Sequence, residues 1–153
     1  IQEGFIMGSA KSIEILEAAK GPLKEAKATI VLSERSHNKV VEEMRERGAD
    51  PDIWKIEGLD TAEDCEKVAA AIKTGDRENV IAVVLGRGAT DEKVNEWLRA
   101  GSSVEGYKGF AIGRSIFWDA LKGFHEGDKS REEAVTEIAE SYLGFLSVYQ
   151  NGS

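Results

Sequence analysis

Lys55 stands in the run "DIWKIEGL" (52–59), between the apolar residues Trp54 and Ile56. A lysine inside a strand covered on both faces loses its hydration. Burial disfavours the ammonium form, and the free amine can attack a carbonyl to form an imine. The alternative is a lysine that carries its charge to the strand end and pairs with Glu57. Glu57 lies two residues on, on the same face of a strand, so it is either that ion-pair partner or a proton shuttle. Two further stretches, "VVLGRG" (83–88) and "GFAIGRS" (109–115), each run an apolar segment into a glycine–arginine turn ahead of a helical pattern. Glycine lets backbone N–H groups approach an anion, and a helix N-terminus adds positive potential. Arginine can then hold a phosphate through two parallel hydrogen bonds. Gly86, Arg87 and Gly88 of the first turn, with Gly113, Arg114 and Ser115 of the second, are therefore candidate phosphate-binding residues. If both turns serve one ligand, they converge on a single anion. If not, the glycines only turn the chain and the arginines pair with surface carboxylates.

The elements that must position these residues are short β-type runs alternating with helical ones. "ATIVLS" (28–33) precedes "HNKVVEEMRERG", and "DIWKIEGL" precedes "TAEDCEKVAAAIKTG". "NVIAVVLG" (79–86) precedes "TDEKVNEWLRAG", and "YKGFAIG" (107–113) precedes "SIFWDALKGF" and a last long helix opening at "SREE". Thr61 with Asp64, and Ser130 with Glu133, have capping-box spacing. Gly48, Gly75 and Gly101 are expected to close helices. The strands are apolar on both phases, which suits a parallel sheet covered on both faces. Trp97 and Trp118 read as helix-packing residues, although Trp118 is near enough to the second glycine turn to line a pocket. His37 and His125 read as surface or capping residues. "EGFIMG" is a further candidate strand, and residues 10–26 read as a helix interrupted at Gly21-Pro22. One repeated βα unit fits either an open doubly wound sheet or part of a (β/α)8 barrel, and in both the ligand lies beyond the carboxyl ends of the strands.

A chain of 153 residues with 41% hydrophobic and 31% charged residues is expected to form one soluble domain. Its formal net charge of -8 argues against nucleic-acid and anionic-membrane partners. The opening residues show neither the basic nor the apolar region of a signal peptide. The single Cys65 cannot close an internal disulfide and reads as a buried helix residue, so the expected compartment is the cytoplasm.

"ADPDIWKIEGLDTAEDCEKV", "VVLGRG" and "GFAIGRSIFWDAL" together resemble the DUF2090 family, over roughly residues 40–149. That family includes the C-terminal domain of myo-inositol catabolism kinase fusions. The same stretches are similar to class I aldolases of the tagatose-bisphosphate and sulfofructose-phosphate type. The resemblance implies a (β/α)8 TIM-barrel fold and a lyase that cleaves a phosphorylated ketose or keto-acid sugar through a Schiff base. It makes Lys55 the imine-forming lysine and the two glycine–arginine turns the phosphate loops after the last two barrel strands. No metal or other cofactor is implied, because the imine serves as the electron sink. Four clear strands and a fifth are fewer than a barrel's eight, so the region corresponds to a carboxyl-terminal half or truncated barrel. The resemblance also implies lysine and glutamate on earlier strands, and "TIVLSER" has no glutamate mid-strand; Glu34, at that strand's end, is the nearest substitute and joins Lys55 and Glu57 as a catalytic candidate. A half barrel leaves open edges, so a homo-oligomer or pairing with another barrel half is expected. Two other readings are kept: a barrel half that binds a phosphorylated metabolite without turning it over, and an open doubly wound sheet that binds a nucleotide.

Overall fold

The computed structural model describes residues 4–8, 28–32, 37–86 and 88–152, with side chains from Lys39 onward. Five strands, β1 (Gly4–Gly8), β2 (Ala28–Leu32), β3 (Ile53–Glu57), β4 (Ile81–Leu85) and β5 (Tyr107–Phe110), pair in that order. All four pairings are parallel. The expected strands are thus present as in-order parallel neighbours, each slightly shorter than its apolar run. The helices are α1 (His37–Glu46), α2 (Ala62–Lys73), α3 (Asp91–Ser102), α4 (Arg114–Glu126) and α5 (Arg131–Asn151). The helix expected between β1 and β2, and the side chain of His37, lie outside the described residues.

Helices cover one face of the sheet. There Trp54 and Ile56 of β3 and Ala82 and Val84 of β4 are buried against Val41 and Met44 of α1, Val68 and Ile72 of α2, and Val94 and Leu98 of α3. Each fully buried aliphatic or aromatic side chain contributes roughly 1.5–3 kcal/mol. The other face corrects the expectation of two covered sides. Ile53 is exposed, and Lys55, Glu57, Val83 and Leu85 are only half-buried. The reason is topological: the inner face of a parallel barrel is covered by its opposing strands, and among the described residues the sheet does not close.

The helix ends follow capping chemistry. Thr61 accepts from the Asp64 N–H at 3.2 Å, Thr90 from the Lys93 N–H at 3.4 Å, and Ser130 and Glu133 form a reciprocal capping box. Gly48 (φ 91°) and Gly75 (φ 72°) follow α1 and α2 in the left-handed conformation expected of helix stops. Gly101 departs from that expectation, because it lies inside α3. A Cβ there would meet Val84 Cγ2 at 2.7 Å, so this glycine serves close helix–sheet packing. Trp118 also departs from expectation: it is 54% exposed.

Candidate functional site

The site forms where β3, β4 and β5 end. β3 delivers Lys55 to the inner face while Trp54 and Ile56 anchor the strand from the other side. Pairing with β4 continues one step past the strand, through Gly58 N–H to the Leu85 carbonyl at 3.1 Å. Trp97 of α3 lies flat against Gly58, where any Cβ would fall 2.1 Å from its ring. The Trp97 indole N–H donates to Asp60 at 2.7 Å, and Lys93 pairs with the same carboxylate at 2.9 Å. The hydrogen bond from Lys93, then that from Trp97, hold the Asp60 carboxyl below its usual range. The loop that follows Lys55 is thus fixed by α3.

β4 ends at Gly86, where a Cβ would crowd Ile112 at 3.1 Å and Val94 at 3.2 Å. Gly88 takes φ 61°, and its N–H donates to the Gly86 carbonyl at 3.0 Å. β5 ends in the second turn, where Gly113 forms the N-cap of α4 with no side-chain cap and no acidic residue in the first turn. α2, α3 and α5 each start with a Thr or Ser cap and two first-turn acids. The positive end of α4 is therefore not neutralised by a cap or acid of its own first turn. Arg114 leads from that end toward the first turn, and a Cβ on Gly88 would lie 4.0 Å from its Nη2.

A cleft of about 420 Å³ opens between these parts, lined by Lys55, Leu85, Gly86, Gly88, Ala111, Ile112, Gly113, Arg114 and Phe117. Five of the nine residues singled out in the sequence therefore meet at one cleft: Lys55, Gly86, Gly88, Gly113 and Arg114. Glu57 and Ser115 are half-buried and do not line it. Glu34 and Arg87 lie outside the described residues. Sequence reasoning passed over the apolar wall of Leu85, Ala111, Ile112 and Phe117. Its signal was Phe117 one helical turn after Gly113, where a Cβ on Gly113 would touch the ring at 3.7 Å. No carboxylate lines the cleft among the described residues, and Arg114 is exposed.

Cys65 is buried in α2, as its sequence context suggested, and desolvation pushes its thiol up to about 11. The Tyr107 hydroxyl is buried beside that thiol, and desolvation raises it as well. Both are on the helix side of the sheet, away from the cleft.

Among solved structures the fold is similar to that of the YdjI aldolase from Escherichia coli K12, at 15% identity and a TM-score of 0.60. The similarity covers 97% of this chain and 61% of that one, so the chain spans less than two thirds of the aldolase's length. No curated protein matches. The architecture is therefore that of an aldolase-like α/β barrel segment, with parallel strands and alternating helices. Among the described residues no helix is long and apolar enough to cross a membrane. The family described as "uncharacterized protein conserved in bacteria (DUF2090)" matches residues 14–152, and with nearly its whole length inside that match the chain belongs to the DUF2090 family.

Proposed function

We propose that this chain carries the imine-forming and phosphate-holding side of a class I aldolase-type lyase acting on a phosphorylated ketose or keto-acid sugar. The observation that supports this most is the convergence of Lys55 with both glycine turns and Arg114 on one cleft. In this reading the Lys55 amine attacks the substrate carbonyl and water leaves. The protonated imine then accepts the electron pair of the breaking carbon–carbon bond, while a base removes a hydroxyl proton. Glu57, on the face of β3 that carries Lys55, and Glu34 are the candidate bases. Gly86, Arg87, Gly88, Gly113, Arg114 and Ser115 hold the phosphate through backbone N–H groups, hydroxyl and guanidinium. Six of the seven exposed large apolar residues described, among them Trp118, Leu121 and Leu143, lie on α4 and α5, which supports self-association of a cytoplasmic enzyme.

The absence of a carboxylate from the cleft wall, among the described residues, favours a second reading: phosphate binding without turnover. Reduction with sodium borohydride in the presence of dihydroxyacetone phosphate separates the two. The lyase reading predicts a reduced adduct on the peptide containing Lys55, absent from Lys55→Met and suppressed by excess inorganic phosphate. Phosphate binding without an adduct selects the second reading, and neither adduct nor binding removes both.

A further inference from the structure

β3 and β4 run out into neighbouring glycines. The register that pairs Glu57 with Leu85 sets Gly58 beside Gly86 one step on. Strand alternation puts Trp54, Ile56, Ala82 and Val84 on the helix side, and it turns Gly58 and Gly86 the same way. One helix fills both places. A Cβ on Gly86 would fall 3.2 Å from Val94 Cγ2, and one on Gly58 would fall 2.1 Å from the Trp97 ring. Val94 and Trp97 are three residues apart on α3, so they are neighbours on one helix face. Between the two strand ends lies the hydrogen bond from the Gly58 N–H to the Leu85 carbonyl. Lys55 stands three residues before that bond on β3, with Glu57 between them on the lysine's face, and Gly86 follows it on β4. Trp97 does not line the cleft, so it can act on a ligand there only through Gly58. Its ring is held by the hydrogen bond to Asp60, and Lys93 holds Asp60 in turn.

Resting on the lyase reading above, we propose that Trp97 is a positioning residue for Lys55. α3 follows the first glycine turn and seats Val94 on the strand that delivers that turn. With Trp97 the same helix face seats the neighbouring strand, which delivers Lys55. Two side chains of one helix thus set the spacing between the amine and the phosphate turn. With the phosphate held, that spacing decides whether the substrate carbonyl meets the amine. Reacting atoms must come within about 3–3.5 Å, and a misplacement of about 1 Å can cost on the order of 100-fold in rate. Loss of the ring frees Gly58, and with it Glu57 and Lys55, while Val94 keeps the phosphate turn in place. Arg114, the other charged residue lining the cleft, is carried by α4 and stays where it is. A ring that only filled space would change stability and leave the reaction alone.

The test is the rate of borohydride-trapped adduct formation on Lys55 across a range of dihydroxyacetone phosphate concentrations, well below the melting range of each variant. Trp97→Ala should lower the limiting rate by about tenfold or more, on the scale of a small misplacement. The half-saturating concentration, and the affinity for inorganic phosphate by calorimetry, should stay within about twofold of wild type, because the anion contacts are kept. Trp97→Phe, which keeps a ring over Gly58, should restore most of the rate. Asp60→Ala, which removes the ring's acceptor from an exposed position, should show a smaller loss in the same parameter. Trp97→Ala trapping at the wild-type rate, or losing affinity in place of rate, overturns the proposal. Should Trp97→Ala fail to fold, an unchanged limiting rate in Asp60→Ala overturns it instead. A wild type that forms no adduct removes the lyase reading and the positioning role together. A wild-type adduct whose rate the variants match removes the positioning role alone.

Discussion

The two ends of the sheet use arginine in opposite ways. At the end where the strands begin, Arg45 of α1 donates to the Ala71 carbonyl at 2.9 Å and to the Thr74 carbonyl, closing the end of α2. Arg77 donates to the Pro51 carbonyl at 2.7 Å and pairs with Asp50 at 2.8 Å, tying the segment before β4 to the segment before β3. At the end where the strands finish, Arg114 is exposed, has no ion pair among the described residues, and projects beside a glycine turn and an uncapped helix. One end joins cations to backbone carbonyls. The other sets an arginine and a helix start without a side-chain cap on the wall of a cleft. In barrels generally, stability and ligand binding are separated along the strand axis, and the proposed phosphate site follows that division.

The contrast breaks most visibly if Arg77→Ala fails to destabilise. That variant removes a charge-assisted hydrogen bond to a backbone carbonyl and should cost about 1.5–3 kcal/mol, read from urea unfolding at constant m-value. Arg114→Ala should change stability by no more than about 0.5 kcal/mol. A similar loss in both variants would remove the distinction between the ends.

Gly58→Ala probes the packing of Trp97 at the cleft end of the sheet. Its methyl cannot coexist with Trp97 in place, so the ring must move, at a cost of about 1–3 kcal/mol. Quenching or a red shift of Trp97 fluorescence, isolated by removing the other two tryptophans, should accompany the loss. An unshifted spectrum at unchanged stability would mean that Trp97 does not fix the loop after Lys55.

The helix caps offer a smaller and sharper comparison. Ser130→Ala should cost about 1 kcal/mol by removing the cap of α5. Gly113→Ser brings a hydroxyl to the start of α4, but Gly113 has φ -117° and ψ -88°, unlike the extended caps of α2, α3 and α5. The gain in stability should therefore be less than the roughly few tenths of a kcal/mol usual for that change, while phosphate binding weakens. A serine that improves both would place the anion elsewhere.

The smallest effect concerns pH. Asp60 is held below its usual range by Lys93 and Trp97, so its contribution is fully present above the unfolded carboxylate value near 3.8. It is lost as pH falls through the lower folded value. The gap in melting temperature between wild type and Asp60→Asn should therefore be present at pH 6 and shrink on acidification below pH 4. Because Asp60 is exposed, the gap should also shrink in high salt.

Strand order and the position of the cleft were legible because apolar runs ending in glycine mark where parallel strands stop. Short βα connections then make successive strands neighbours. Arg114 reaches the Gly88 turn only because β4 and β5 are adjacent, which the repeat implies. The covering of the inner face was not legible, since "IAVVL" has the same pattern whether or not opposing strands enclose it. Gly101 looked like a helix stop because a packing glycine and a capping glycine are the same letter. Only the contact with Val84 distinguishes them. The slip in the β4–β5 pairing, which sets Lys108 and Gly109 opposite Val83, depends on register and had no signature in "YKGF".

The most direct test of the central claim compares inorganic phosphate and fructose 6-phosphate binding by calorimetry in wild type, Arg114→Ala and Arg77→Ala. The account predicts that Arg114→Ala loses about 1.5–3 kcal/mol of binding free energy, on the scale of a charge-assisted contact, with its melting temperature unchanged. Arg77→Ala should melt earlier and bind as wild type does below its melting range. Equal affinity of Arg114→Ala and wild type would contradict the claim that the glycine–arginine end of the sheet is the phosphate site.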